Sequence, residues 1–222
     1  MIHLAETLAV QTVEDFLTAE DLTRLNKIID EFVAAGGWDP VRGHDPVVPP
    51  SEAQDILREA THKALPVIQH AMPSILGCTP WGYVQIAPGE QVPSHLDGLS
   101  INSSTRPRRL ARITVVIHDA DEGGEFYIET TSSPTVWAPD APDDDNDDYF
   151  RGMRFTRVAE HADVEAGLES TAWVATTPRT RWTTNAAAGV GVVYGTQLIH
   201  GVDPVITGIQ RKFVTNLIDE AR

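Results

Sequence analysis

The chain has 222 residues, 41% of them hydrophobic and 22% charged, which is the composition of a globular protein with room for a full core. Its formal net charge of −15 opposes binding to phosphate backbones and anionic bilayers, so nucleic acid and membrane are not expected partners. No apolar run approaches a bilayer span. The first residues lack the basic region of a secretory leader, and the single cysteine, Cys78, excludes an intramolecular disulfide or a multi-cysteine metal site. The expectation is a cytoplasmic protein acting on a small molecule, with a homodimer left open.

Two helices are expected first. Thr18 and Asp21 form a capping-box pattern. Leu22, Leu25, Ile29, Phe32 and Val33 then recur at helical spacing up to Gly36-Gly37. Ser51 and Gln54 repeat the cap after Pro49-Pro50, and Ile56, Leu57, Ala60 and Ala64 carry an apolar stripe towards Pro66. From Trp81 the pattern changes to short β-type runs split by Gly and Pro. Strands are predicted near 81–87, 110–117, 124–129, 171–176, 190–194 and 212–218, with shorter ones at 92–95 and 197–200. Many short strands without intervening helices indicate an antiparallel sandwich or barrel. The acidic, Pro-rich stretch 131–152 reads as a surface loop.

The chemistry is expected at His95-Leu96-Asp97. Residues i and i+2 of a strand point to one face, so an imidazole and a carboxylate can converge on one cation. Such a triplet is common by chance in a chain with 8 His and 32 acidic residues, so its surroundings must decide. Pro88-Gly89 makes a turn just upstream and Gly98 follows directly. Near the other end, His200 stands in QLIHGVDPV and Arg211 follows in GIQRKF. Taken singly, each has a bland reading as a strand-end histidine or a surface cation.

In their order, GYVQIAPGEQVPSHLDG, RITVVIHDADEGGEF, GVGVVYGTQLIHGVDPV and GIQRKFVTNLI resemble the iron(II)- and 2-oxoglutarate-dependent dioxygenases of the prolyl-4-hydroxylase-like branch. The resemblance covers residues 81–129 and 189–218. It implies a mainly β fold with N-terminal helices, a double-stranded β-helix of the jelly-roll, cupin-like kind. The implied layout is a single domain over 1–222, with helical support in 1–75, the jelly-roll core in 76–222 and an insertion at about 130–187. Fe(II) held by His95, Asp97 and His200 is implied, with 2-oxoglutarate and O₂ as co-substrates. Two His and one carboxylate leave open positions for a chelating co-substrate and O₂. Arg211 is the implied partner of the distal 2-oxoglutarate carboxylate, since a guanidinium grips a carboxylate bidentately. Lys212 is the fallback, and Tyr83 is a further candidate contact. Arg112 or Thr114, which share a strand face, are candidate contacts to substrate or co-substrate. The implied activity is hydroxylation of an unactivated C–H of a small molecule such as an amino acid or natural-product intermediate. The alternatives are a prolyl-type peptide hydroxylase, a cupin-like metal isomerase and a non-catalytic binding module. Gly123-Gly124-Glu125 reads as a structural turn, and Trp137, Trp173 and Trp182 as packing residues.

Overall fold

The structure, a computed structural model, describes residues 4–39, 45–95, 97, 107–131, 179–184 and 186–221. A short helix, α1 (Leu4–Thr7), and an edge strand, β1 (Val10–Val13), precede α2 (Ala19–Ala34). The capping box is formed as the sequence requires. Thr18 Oγ1 accepts from the Asp21 backbone N–H at 3.1 Å, and the Asp21 carboxylate accepts from the Thr18 N–H at 3.2 Å. Leu25 and Ile29 are fully buried on the inward face.

The second cap differs from expectation. Helix α3 (Ser51–Ala71) begins at Ser51 behind Pro50, without a side-chain cap. Gln54 is instead turned to the next layer, donating to Trp81 O at 2.6 Å and accepting from Trp81 N at 2.9 Å. The helix also runs through Pro66 to Ala71. A proline removes one intrahelical bond, and the docking of Ala64 and Ile68, both buried, holds the helix across it.

Eleven further strands complete the β structure of the described residues. The major sheet runs β1–β9–β5–β12–β2, with β3 also on β12; here β2 is Gly77–Cys78, β3 Gly82–Ile86, β5 Arg109–His118, β9 Gly191–Gly195 and β12 Gln210–Ile218. The minor sheet runs β4–β10–β7–β8, from Val92–His95, Ile199–Val202, Phe126–Thr131 and Arg179–Thr184. A two-stranded ribbon joins β6 (Glu122–Gly123) to β11 (Val205–Thr207). From β3 onwards the chain crosses repeatedly between the two antiparallel sheets, and this is the expected double-stranded β-helix.

Parity along the strands separates two environments. Tyr83, Ile113, Val115, Ile117, Val193, Phe213 and Leu217 face the helices and join Leu25, Ile29, Leu57 and Ile68 in the main core. The alternate residues face the minor sheet, where Val84, Ile86, Val202, Val205 and Val214 form a smaller apolar cluster. Strand β8 lies inside the segment read as an insertion. Its sequence RTRWTT lacks apolar alternation, and it is held by pairing with β7 and by Arg179 and Arg181, which reach the buried Glu129 at 2.8 and 3.0 Å. The predicted strand 171–176, the Asp-rich stretch, Trp137 and Trp173 lie outside the described residues.

Candidate metal centre and co-substrate pocket

Pro88-Gly89 makes the expected turn, with Gly89 at φ 86°, and delivers β4 to the inner face of the minor sheet. There His95 lies directly opposite His200 of β10 in the antiparallel register. The two imidazoles have centroids 4.2 Å apart. Asp97 follows just beyond the end of β4. All three residues are buried, and one ligand atom from each falls within 4.8 Å of the others. Residues separated by more than a hundred positions in sequence are thus brought together as the expectation requires.

The polarity of the cluster suits a divalent metal. His95 Nδ1 lies 2.9 Å from Pro93 O, and His200 Nδ1 lies 2.9 Å from Leu198 O. A carbonyl only accepts, so each Nδ1 carries the proton and each Nε2 presents a lone pair. His200 Nε2 is buried without a hydrogen-bond partner among the described residues, 3.7 Å from Asp97 Oδ2. Burial, then the neighbouring His95, lowers the His200 pKa to about 3, which keeps the imidazole neutral. Two imidazoles and a carboxylate, buried together, are an N/O donor set that fits Fe(II).

The basic residues of β12 separate by parity. Arg211 lies on the helix side, where its guanidinium pairs with Asp30 of α2 at 2.6 Å. Lys212 lies on the inner side, only 7% exposed, and has no acidic partner among the described residues. Burial, then Arg112, lowers its pKa to about 7. Lys212 lines a cavity of about 250 Å³ together with Thr114, Val192, Val202 and Gln210. Phe126, also in the cavity wall, has its ring 5.9 Å from that of His200. Thr184 Oγ1, on another wall residue, is buried without a partner among the described residues.

Tyr83 is likewise placed away from the inner side. It is fully buried against Trp38 and Phe213, with centroids at 5.5 and 5.6 Å, and its hydroxyl donates to Gln85 at 3.0 Å. The sequence pattern placed Arg211 and Tyr83 in the pocket, whereas strand parity turns both towards the helices.

Two residues of the site carried no assigned role or a different one in the sequence. Arg112 donates through Nη1 to Asp97 Oδ1 at 2.8 Å rather than waiting for a ligand. Tyr194, opposite Arg112 in the β5–β9 register, stacks on His200 with centroids at 4.4 Å. Its parity with Val192 was the available signal, but the rows of β9 and β10 meet only after folding. Gly123 and Gly124 have φ of 80° and 83°, and a Cβ on Gly123 would fall 2.2 Å from Pro204 O. Their structural reading stands, since they let β6 close against β11.

No family model matches the chain, and no curated protein matches it. Solved structures do. The viral collagen prolyl hydroxylase of Paramecium bursaria Chlorella virus 1, determined with 2OG, aligns over 97% of this chain and 98% of its own at TM-score 0.54 and 14% identity. A prolyl-4-hydroxylase of Pseudomonas putida aligns over 97% and 94% at TM-score 0.54, also at 14% identity. The non-heme alpha-ketoglutarate-dependent carbocyclase SnoK of nogalamycin biosynthesis aligns over 97% and 81% at TM-score 0.55 and 13% identity. At these identities the likeness concerns backbone architecture. The chain has the double-stranded β-helix fold of these oxygenases, over almost its whole length.

Proposed function

We propose that the protein is an Fe(II)- and 2-oxoglutarate-dependent oxygenase that hydroxylates an unactivated C–H of a small molecule. The observation that carries this reading is the buried His95–Asp97–His200 cluster on one inner wall with a buried lysine, unpartnered among the described residues, on the opposite one. His95, Asp97 and His200 would hold the iron. When bound, the metal would supply the chemistry of O₂ activation coupled to oxidative decarboxylation of the keto acid. The protein's own residues fix the ligands, anchor the co-substrate and exclude water.

Lys212, rather than Arg211, is the residue we assign to the distal carboxylate of 2-oxoglutarate. An uncompensated buried ammonium is costly, and a bound carboxylate supplies the missing charge. Thr114 and the apolar Val116, Val190, Val192 and Val202 of the cavity wall suit the methylenes of a short keto-diacid and displace water around them. Arg211, paired with Asp30 behind the sheet, cannot serve without breaking that ion pair and reversing its face.

The test is anaerobic addition of Fe(II) and 2-oxoglutarate, followed by aerobic succinate formation against a panel of amino acids, small amines and proline-containing peptides. A weak visible absorption that needs both additions, and succinate production, are expected. A colourless mixture that consumes no 2-oxoglutarate would leave the cupin-like isomerase or the binding module as the better reading. A peptide substrate is the second reading, favoured by the 98% coverage of the viral collagen prolyl hydroxylase; stimulation by the peptides alone would select it.

A further inference from the structure

Arg112 is the one charged side chain of the described residues that touches the candidate ligand set without belonging to it. Its Nη1 donates to Asp97 Oδ1 at 2.8 Å, while Asp97 Oδ2 lies 3.7 Å from His200 Nε2. Tyr194 lies opposite Arg112 in the β5–β9 register, and its buried ring packs on His200 with centroids 4.4 Å apart. The arrangement is poor as a purely stabilising device, because Arg112 Nε is buried without a partner among the described residues. An orphaned buried donor costs about 1–3 kcal/mol.

We propose that Arg112, through its contact with Oδ1, is a positioning residue that restricts Asp97 to coordination through one oxygen. This inference rests on the proposed metal site. Oδ1, which lies 4.0 Å from His95 Nε2, is engaged by the guanidinium, whereas Oδ2, 3.7 Å from His200 Nε2, is not. A carboxylate free to turn could use both oxygens and occupy a position that a chelating keto acid needs. Arg112 also places a positive charge beside the metal, so it weakens binding of the bare cation while favouring the complex with a dianionic co-substrate.

The experiment uses Co(II) as a redox-inert probe, with the full-length protein and Arg112→Gln, Arg112→Lys and Tyr194→Phe. Co(II) affinity and the affinity of the Co(II)-loaded protein for 2-oxoglutarate are measured by calorimetry, alongside the Co(II) absorption spectrum and the metal-free Tm. For Arg112→Gln, Co(II) affinity should hold or rise, the Co(II) bands should change, and 2-oxoglutarate affinity should fall by about tenfold or more. Tyr194→Phe should move the same quantities in the same direction by less, and Arg112→Lys should restore part of the 2-oxoglutarate affinity. A parallel fall in Co(II) affinity and Tm would overturn the proposal and make Arg112 a structural residue. Unchanged 2-oxoglutarate affinity and spectrum would overturn it as well. Wild-type protein that binds no Co(II) would instead refute the metal site itself.

Discussion

The two faces of the major sheet are made by alternate residues of the same strands, yet they follow opposite rules. On the helix side, β12 contributes Phe213 and Leu217, β5 contributes Ile113 and Val115, and both meet Leu25, Ile29, Leu57 and Ile68 in a continuous apolar layer. On the inner side the same strands contribute Lys212, Gln210, Arg112 and Thr114, mostly buried, around a cavity and a cluster of candidate metal ligands. The first face lowers the free energy of the fold by removing apolar area from water. The second spends stability on buried polar groups whose partners are incomplete among the described residues. Burial without a partner is thus the sign that separates a binding wall from a packing wall when both belong to one sheet.

The comparison is broken most completely at the inner cluster. His200→Ala or Asp97→Ala should reduce succinate formation to background and abolish metal binding. Retention of either by both variants would show that the cluster is a packed polar core. The outer face should respond in the opposite way. Phe213→Ala is expected to cost about 3–5 kcal/mol of stability by opening a cavity among Tyr83 and the helices, read from the denaturant midpoint, with the 2-oxoglutarate requirement unchanged. The adjacent residue sharpens the contrast. Lys212→Met removes an unpartnered buried cation at similar volume, so the metal-free protein should gain about 1 kcal/mol or more. The same variant should raise the 2-oxoglutarate requirement by roughly 10–100-fold, the worth of a charge-assisted hydrogen bond. If Lys212→Met leaves that requirement alone, the anchor lies elsewhere.

The fold was largely legible because its strands are short, apolar and separated by turn residues. The windows at 81–87, 110–117 and 212–218 match β3, β5 and β12 to within two residues. The clustering of His95, Asp97 and His200 was legible because His95-x-Asp97 shares a strand face and His200 falls on a strand of its own. Which neighbour of the Arg211-Lys212 pair faces inward was not. Adjacent strand residues always point apart, but the absolute phase depends on which face of β12 the helices cover. That is settled by Phe213 and Leu217 packing on the helix side. Strand β8 escaped because its stability comes from β7 and the Glu129 ion pairs rather than from its own pattern. The Arg112–Asp97 contact was not legible either, since it joins two segments whose relative placement no local pattern sets.

A smaller effect concerns pH. The Lys212 pKa is lowered to about 7 in the folded metal-free protein, by burial first and then by Arg112. The unfolded chain therefore binds more protons between that pH and the ordinary lysine pKa. Stability should rise with pH across this window and change little on this account below it. A carboxylate bound to Lys212 raises its pKa again, so 2-oxoglutarate binding should take up protons. Affinity should be level below about pH 7 and fall above it, by at most about tenfold per unit. Calorimetry in two buffers of different ionisation enthalpy measures the uptake directly, and zero uptake at pH 8 would remove Lys212 from the site.

The smallest effect is expected at the residue that the sequence made most prominent. Arg211 is charged, sits at the right distance beyond His200 and precedes a buried lysine, so a motif alone selects it. Its guanidinium is instead engaged by Asp30, whose side chain is 64% exposed on α2. An ion pair so open to solvent is worth about 0–1 kcal/mol, and it lies across the sheet from the cavity. Arg211→Ala should therefore lower the denaturant midpoint slightly, less so at high salt where the pair is already screened. The 2-oxoglutarate requirement should stay within about twofold of wild type, far below the loss of a buried charged contact. An increase on the scale expected for Lys212→Met would mean that β12 presents its opposite face to the co-substrate in the working enzyme, and the division between packing wall and binding wall would have to be redrawn.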